Sequence, residues 1–238
     1  MNIPILRKPL FVVSFLVLAS EILALSLNGL FTDNMVLQRE KAVPVWGSAA
    51  PGSTVEVSFA GQTLRAKTAA DGEWTVELSP LEASSKPQIL NVVELGTEER
   101  ISRNNILVGD VWLCTGQSNM AWTMDRFLFW DSIKDAFSND QIRMFKIKEG
   151  GVGSPQPSKE IVVDKDFQNS WQLCTPEFAQ HFSATAGFFG MKLQPAVDVP
   201  IGLLYANRGG TAVNMWLPRE VMEAKEIYAD YLDPSNLN

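Results

Sequence analysis

The stretch that decides the fold is Ile106–Cys114 (ILVGDVWLC), followed at once by the turn Thr115–Asn119 (TGQSN). A near-continuous apolar run of this length is typical of a strand that is buried on both faces of a sheet. A second apolar run, Ile201–Ala206 (IGLLYA), also ends in a glycine-rich loop. Strand, loop and helix patterns alternate after residue 105, which predicts a doubly wound α/β domain over residues 106–238.

A strand and a helix are predicted between these two runs. The strand candidate is Gln141–Lys148 (QIRMFKIK). The helix begins with Thr175 as N-cap and Pro176 at its first position, and it ends before the segment Pro195–Pro200. Apolar residues at spacings of four, seven and four predict a single apolar stripe along this helix, formed by Phe178, Phe182, Phe189 and Leu193.

The preceding residues, 27–105, consist of short β-type runs separated by turn signals, with no helical stretch. Apolar and polar residues alternate in Thr54–Phe59, as in a half-buried strand. Turns recur about every ten residues, which predicts an antiparallel β-sandwich or jelly-roll domain. We interpret it as a structural accessory domain, and the alternative is a sugar-binding face that uses Trp46 or Trp74. The predicted strands are Val43–Trp46, Thr54–Phe59, Gln62–Lys67, Trp74–Leu78 and Ile89–Leu95.

Residues 1–26 have the pattern of an export signal peptide. Arg7 and Lys8 precede a ten-residue apolar run, Leu10–Ala19, and small residues at Ala19 and Ala24 suit cleavage. Because a membrane helix needs about 20 apolar residues, this run is too short to span a bilayer. We therefore expect a secreted or periplasmic protein with no stable membrane span after cleavage, and the alternative is an uncleaved signal anchor.

Composition excludes several classes of function. The chain has 27 acidic and 20 basic residues, a net charge of -7, so it offers no basic surface for a phosphate backbone and nucleic acid is not an expected partner. Two cysteines, Cys114 and Cys174, and one histidine, His181, are too few for a cysteine or histidine metal centre, and we expect no metal or other cofactor. A disulfide between the two cysteines is permitted in an exported protein but not implied.

Ser118 is the candidate for nucleophilic chemistry. It follows the carboxyl end of a buried strand, where ligands bind in open α/β sheets. The motif is not the Gly-x-Ser-x-Gly elbow of α/β-hydrolases, because Met120 takes the place of the second glycine. From the residues alone, Ser118 could be a nucleophile or a serine that only forms a turn or caps a helix.

The string VGDVWLCTGQSNMAW, residues 108–122, resembles the first block of the sialate O-acetylesterase family, within the SGNH-hydrolase superfamily. The resemblance covers about residues 28–220, and it implies a β-domain followed by a flavodoxin-like SGNH-hydrolase domain. Further segments match in the family's order: Leu30–Gln38 (LFTDNMVLQ), Val43–Gly47 (VPVWG), Asp71–Trp74 (DGEW), Phe182–Ala186 (FSATA), Val199–Leu204 (VPIGLL) and Asn207–Thr211 (NRGGT) followed by Trp216.

The resemblance implies a role for each matching residue. Ser118 is the nucleophile, and its backbone N–H is one oxyanion donor. Gly209 or Gly210 supplies the second N–H, unless the pair only forms a turn. The remaining matching residues are candidates for substrate binding: Gln117, Asn119, Trp122, Thr211 and Trp216. The alternative is that the two amides only bridge the loop backbone and the two tryptophans are core residues.

The implied reaction is removal of O-acetyl groups from a sugar through an acyl-enzyme on Ser118. The expected partner is thus an O-acetylated sugar or glycan. The motifs do not distinguish O-acetylated sialate from acetyl-xylan as the substrate, because esterases for the two substrates share every motif. The rival from another class is a non-catalytic carbohydrate-binding or structural protein.

The general base is not found in this sequence. The family's third block, Gln-Gly-Glu, and its late Asp-x-x-His pair are both absent between Thr211 and Asn238. His181 is predicted on the flank of the helix, about 90° from its apolar stripe and away from the strand ends, so we do not expect it to act as the base. The sequence therefore predicts a C-terminally truncated relative with weak or no esterase activity.

Overall fold

The computed structural model describes residues 24–148, 161, 163–212 and 216–232. The predicted signal peptide lies outside these ranges except for its last three residues, of which Leu25 is buried and Ser26 begins the first strand. The strands are β1 (Ser26–Leu27), β2 (Val36–Gln38), β3 (Val43–Ser48), β4 (Thr54–Phe59), β5 (Gln62–Lys67), β6 (Glu73–Leu78), β7 (Ser84–Glu94), β8 (Arg100–Gly116), β9 (Asn139–Lys146), β10 (Gln172–Cys174) and β11 (Ile201–Asn207). The α-helices are α1 (Ser118–Ala121), α2 (Trp130–Ile133), α3 (Pro176–Ala179), α4 (Ala184–Val197), α5 (Arg219–Glu223) and α6 (Ala229–Leu232), and short 3-10 helices lie at Met124–Arg126, Lys134–Ala136, Lys165–Phe167 and Glu226–Tyr228.

Most strand pairs of the N-terminal part are antiparallel, as its alternating pattern predicts, but β2 pairs in parallel with β8. Strands β1, β3 and β6 form a three-stranded sheet, while β5, β4 and β7 continue into β8 as part of a larger sheet. In β4 the side chains of Val55, Val57 and Phe59 are buried, and the polar residues between them are more exposed. All five strands predicted before residue 100 are present, although β7 begins five residues earlier than expected.

The strand β8 connects the N-terminal part to the parallel sheet. Its first half pairs with β7, and its last seven residues pair in parallel with β11, from Asp110 opposite Ile201 to Gly116 opposite Asn207. The strand crosses residue 105, where the sequence predicts a domain boundary, so the two predicted domains share one strand. At the crossing, Asp110 accepts a hydrogen bond of 2.8 Å from the guanidinium of Arg39, which raises the pKa of Arg39.

The parallel sheet positions the candidate site. Strand β11 lies between β8 and β9 and runs parallel to both, while β10 pairs antiparallel with β9. The carboxyl ends of β8, β9 and β11 therefore meet at one edge of the sheet. Helix α4 covers one face through small residues, since a Cβ at Gly190 would lie 2.8 Å from Cδ1 of Leu203.

The prediction of a single helix after Thr175 is wrong. Helix α3 ends at Ala179, and α4 begins after Ser183, whose Oγ accepts a hydrogen bond from the N–H of Ala186. The chain between them forms a turn, in which the N–H of His181 donates to the carbonyl oxygen of Phe178 at 3.2 Å, and Ser183 then forms an antiparallel bridge with Thr123. The predicted apolar stripe is wrong as well, since the buried residues of α4 are Ala186, Gly187 and Gly190.

The prediction that Ile106–Cys114 is buried on both faces holds only for its first half. Residues Ile106, Leu107 and Val108 are buried, whereas Trp112 and Leu113 are 44% and 63% exposed. At this end of the sheet the indole of Trp112 packs edge to face against Phe189 of α4, with ring centroids 5.1 Å apart.

The two cysteines are both free and buried. Cys114 lies in β8 and Cys174 in β10, and β11 and β9 separate these two strands. Three strand spacings amount to about 14 Å, too far for a disulfide. Among the described residues, no helix combines the length and the apolar character needed to cross a membrane.

Candidate active site

Ser118 lies on a sharp turn between β8 and α1, as the sequence predicts. Gly116 ends the strand with φ at +148°, a conformation that side chains disfavour. Gln117 is the N-cap of α1, and Ser118 is its first residue. The side chain of Ser118 is therefore exposed at the carboxyl edge of the parallel sheet.

The glycine loop after β11 lies next to this turn. The backbone N–H of Arg208 donates a hydrogen bond of 3.1 Å to the carbonyl oxygen of Gly116, which extends the pairing of β8 and β11 by one residue. A Cβ at Gly209 would lie 4.0 Å from the Cα of Ser118. Gly210 has a left-handed φ of +76° and turns the chain. Of the two candidate glycines, Gly209 is thus the one that faces Ser118.

The side-chain oxygen of Gln117 accepts hydrogen bonds from both the hydroxyl and the backbone N–H of Ser118. Oε1 of Gln117 lies 3.2 Å from the Oγ of Ser118 and 3.4 Å from its backbone nitrogen. In the described part of the chain, no imidazole or carboxylate bonds to the Oγ of Ser118.

His181 does not lie on a helix flank, and that prediction of its place is wrong. It lies in the turn between α3 and α4, where its carbonyl oxygen accepts a hydrogen bond of 3.4 Å from Nζ of Lys146. The segment is held here because the neighbouring Phe182 accepts a backbone hydrogen bond of 3.0 Å from Met124. The structure gives His181 no hydrogen bond to Ser118.

Three residues that the sequence analysis did not single out hold α1 in place. The hydroxyl of Thr185 donates to the carbonyl oxygen of Asn119 at 2.9 Å, and the hydroxyl of Tyr205 donates to that of Ala121 at 3.4 Å. The buried Ser183 donates to the sulfur of Met120 at 3.2 Å. No local sequence pattern predicts these contacts, because each joins segments that are more than 60 residues apart.

Asn207 is a further residue that the sequence analysis treated only as the start of the glycine loop. It ends β11 opposite Gly116, it is 7% exposed, and neither atom of its side-chain amide has a hydrogen-bond partner in the described ranges. Buried amides are normally bonded, so this donor and acceptor pair is notable beside the turn. An asparagine at the end of an otherwise apolar run is the sequence signal that points to it.

The remaining candidates form contacts at the rim of the site. The indole of Trp216 donates to Oγ1 of Thr211 at 2.9 Å, and this hydroxyl donates in turn to the carbonyl oxygen of Arg208 at 2.9 Å. Trp122 is 53% exposed, and the guanidinium of Arg126 lies 5.5 Å from its ring centroid. The two tryptophans are therefore partly exposed surface residues and not core residues.

Known proteins resemble this chain over most of its length, although no family model matches it. It is 32% identical to sialate O-acetylesterase of Mus musculus over 209 residues, which is 82% of this chain and 38% of that protein. The chain is therefore homologous to the sialate O-acetylesterases. The Homo sapiens homologue is 29% identical over 200 residues, with 77% of this chain and 37% of that protein covered.

A solved structure of similar fold supports the same relationship. The crystal structure of a carbohydrate acetylesterase from Xanthomonas citri superposes with a TM-score of 0.75 at 32% identity, covering 84% of this chain and 44% of that one. The resemblance expected from the motifs is thus confirmed. The chain spans about two fifths of the length of the curated relatives that it matches.

Proposed function

We propose that this chain carries the nucleophile of a carbohydrate O-acetylesterase, and that this nucleophile is Ser118. The observation that carries the proposal is the register of β8 and β11. It sets Gly209 against Ser118, with a Cβ position only 4.0 Å from the Cα of Ser118. An exposed serine and a glycine backbone at the carboxyl edge of a parallel sheet are suited to acyl transfer.

The proposed reaction has two steps. The Oγ of Ser118 attacks the acetyl carbonyl carbon, the new Oγ–C bond forms, and the bond from that carbon to the sugar oxygen breaks. The serine proton ends on the sugar oxygen, and water then hydrolyses the acetyl-serine to release acetate. The backbone N–H of Ser118 and one N–H of the loop at Gly209 and Gly210 stabilise the negative acyl oxygen, and one such donor is typically worth about 3 kcal/mol.

The contact with Gln117 leads us to propose that this chain is a weak catalyst on its own. A side-chain amide accepts a hydrogen bond, but it does not take up the serine proton as a base does. A positioned general base typically contributes about 10² to 10⁴-fold to the rate of such a step. We expect attack by Ser118 without a base to be slower by about that factor.

The substrate is proposed as an O-acetylated sugar, from the names of the relatives. Sialate is the leading choice because the curated relatives are sialate O-acetylesterases. Acetyl-xylan is the alternative, since the solved relative is named as a carbohydrate acetylesterase with no particular sugar specified. Acetate release from O-acetylated sialic acid and from acetylated xylan, measured side by side, separates the two.

The finer architecture and the location also belong to this proposal. We propose an N-terminal sandwich or jelly roll over residues 27–105 and an SGNH-hydrolase fold over residues 106–238. Export is proposed from the basic and apolar pattern of residues 7–19.

Hydrolysis of p-nitrophenyl acetate by the whole chain tests the nucleophile. We expect Ser118→Ala to abolish the protein-dependent rate, while the control Ser132→Ala, which removes another exposed serine, leaves it unchanged. A rate that survives in Ser118→Ala overturns the proposal. Absence of any rate in the unmutated chain, together with no labelling of Ser118 by a fluorophosphonate probe, favours the non-catalytic rival.

A further inference from the structure

The outer face of the small N-terminal sheet gathers one tryptophan and several polar side chains. Residues opposite each other in an antiparallel pair point to the same face. Trp46 is opposite Thr75, and Ser48 is opposite both Ser26 and Glu73. These five side chains therefore share one face, turned away from the buried Val45 and Val76.

A cavity of about 590 Å³ lies on this face. That volume is within the range of small-molecule sites, about 300 to 1,000 Å³. The residues that line it are Ser26, Leu27, Asn28, Gly29, Trp46, Gly47, Ser48, Glu73, Trp74 and Thr75.

The indole of Trp46 is held in a fixed orientation within this cavity. The ring of Phe31 meets it edge to face, with centroids 4.7 Å apart and planes at 83°. Trp74 is opposite Gly47, so its fully buried side chain lies on the other face of the sheet, whereas Trp46 is only partly buried. A pre-oriented aromatic ring loses little conformational entropy when a flat ligand stacks on it.

The chemistry of the lining fits a neutral sugar ring. A pyranose has an apolar C–H face that packs on an indole, and its hydroxyl groups suit the hydroxyls of Ser26, Ser48 and Thr75 and the amide of Asn28. None of the ten lining residues is basic, and Glu73 is acidic. Among these ten described residues, an anionic sugar would therefore meet one acidic side chain and no basic one.

We propose that this face, on β1, β3 and β6, binds a neutral pyranose of an oligosaccharide through Trp46. The site does not use Ser118, so the inference goes beyond the proposed esterase function and does not depend on it. It assigns to the accessory domain the task of holding a glycan chain.

Isothermal titration calorimetry of the whole chain tests this proposal, with xylotriose as the neutral probe and N-acetylneuraminate as the anionic one. We expect xylotriose to bind in the millimolar range and N-acetylneuraminate to bind at least tenfold more weakly. Trp46→Ala should weaken xylotriose binding by about tenfold or more, because it removes the stacking surface. The control Trp112→Ala removes a partly exposed indole on β8 and should leave binding unchanged.

A second variant guards against misfolding of Trp46→Ala. Thr75 is exposed and opposite Trp46, so Thr75→Arg fills the cavity without disturbing the core. It should abolish xylotriose binding while the circular dichroism spectrum stays unchanged. The proposal is overturned if xylotriose does not bind, if Thr75→Arg binds it normally, or if N-acetylneuraminate binds as tightly as xylotriose.

Discussion

Alanine substitutions at the two adjacent loop glycines should have opposite effects on stability and on acyl transfer. At Gly209 an added Cβ would lie 4.0 Å from the Cα of Ser118, an ordinary contact, so the fold should tolerate Gly209→Ala to within about 0.5 kcal/mol. The new methyl group nonetheless occupies the gap between the loop and Ser118, where the acyl oxygen has to sit. Since the loss of one oxyanion donor costs about 10² to 10³ in rate, we expect at least a hundredfold slower acetyl transfer.

Gly210→Ala should behave in the opposite way. Its φ of +76° is left-handed, which costs a residue with a side chain about 1 to 2 kcal/mol. In a chain of this size such a loss lowers Tm by about 2 to 8 °C. A Cβ at Gly210 meets no atom of the described residues within 4 Å, so the rate below Tm should change little.

Thermal unfolding and p-nitrophenyl acetate hydrolysis, measured on both variants, test this pair of expectations. These expectations are wrong if Gly209→Ala reacts at the unmutated rate, or if Gly210→Ala loses the rate and keeps its Tm. Either outcome would mean that Gly209 does not face the acyl oxygen.

Three further changes are predicted. Burial raises the pKa of Cys114 to about 11 and that of Cys174 to about 12, so iodoacetamide at pH 8 should label neither thiol until the chain is unfolded. The free energy of unfolding should fall as the pH rises from 9, where the thiols of the unfolded chain ionise, towards 11. Labelling of the native protein would contradict this. Gly109→Ala should cost about 3 kcal/mol in a urea titration, because its Cβ would overlap the backbone carbonyl of Pro200, and an unchanged midpoint would contradict that packing. His181→Gln should leave the rate of p-nitrophenyl acetate hydrolysis unchanged, because the Oγ of Ser118 donates a hydrogen bond to the amide of Gln117 and not to this imidazole. Loss of the rate in a folded variant would identify His181 as the base.

Local patterns were sufficient to predict much of the sheet. The alternation in Thr54–Phe59 and the turn signals around it predict β4 to the residue, because a half-buried strand imposes its own period. The break between α3 and α4 was not predictable in this way. It depends on the pairing of Ser183 with Thr123, which joins segments 60 residues apart.

In the candidate site too, some features follow from local sequence and others depend on tertiary packing. Ser118 and Gly209 each follow the end of an apolar strand, so their meeting at one sheet edge follows from parallel pairing alone. The hydrogen bonds from Thr185 and Tyr205 to the carbonyl oxygens of α1 depend on how the chain packs, and the sequence carries no local sign of them. The bond of Ser118 to Gln117 is local, yet side-chain orientation at a tight turn is not encoded in spacing.

Peptide mass spectrometry after brief exposure of the whole chain to p-nitrophenyl acetate tests whether Ser118 forms an acetyl-enzyme. We predict an acetyl group on the peptide that contains Ser118, located at the serine by fragmentation and absent from Ser118→Ala. Acetylation only at lysines, or an equal yield in Ser118→Ala, would contradict the account.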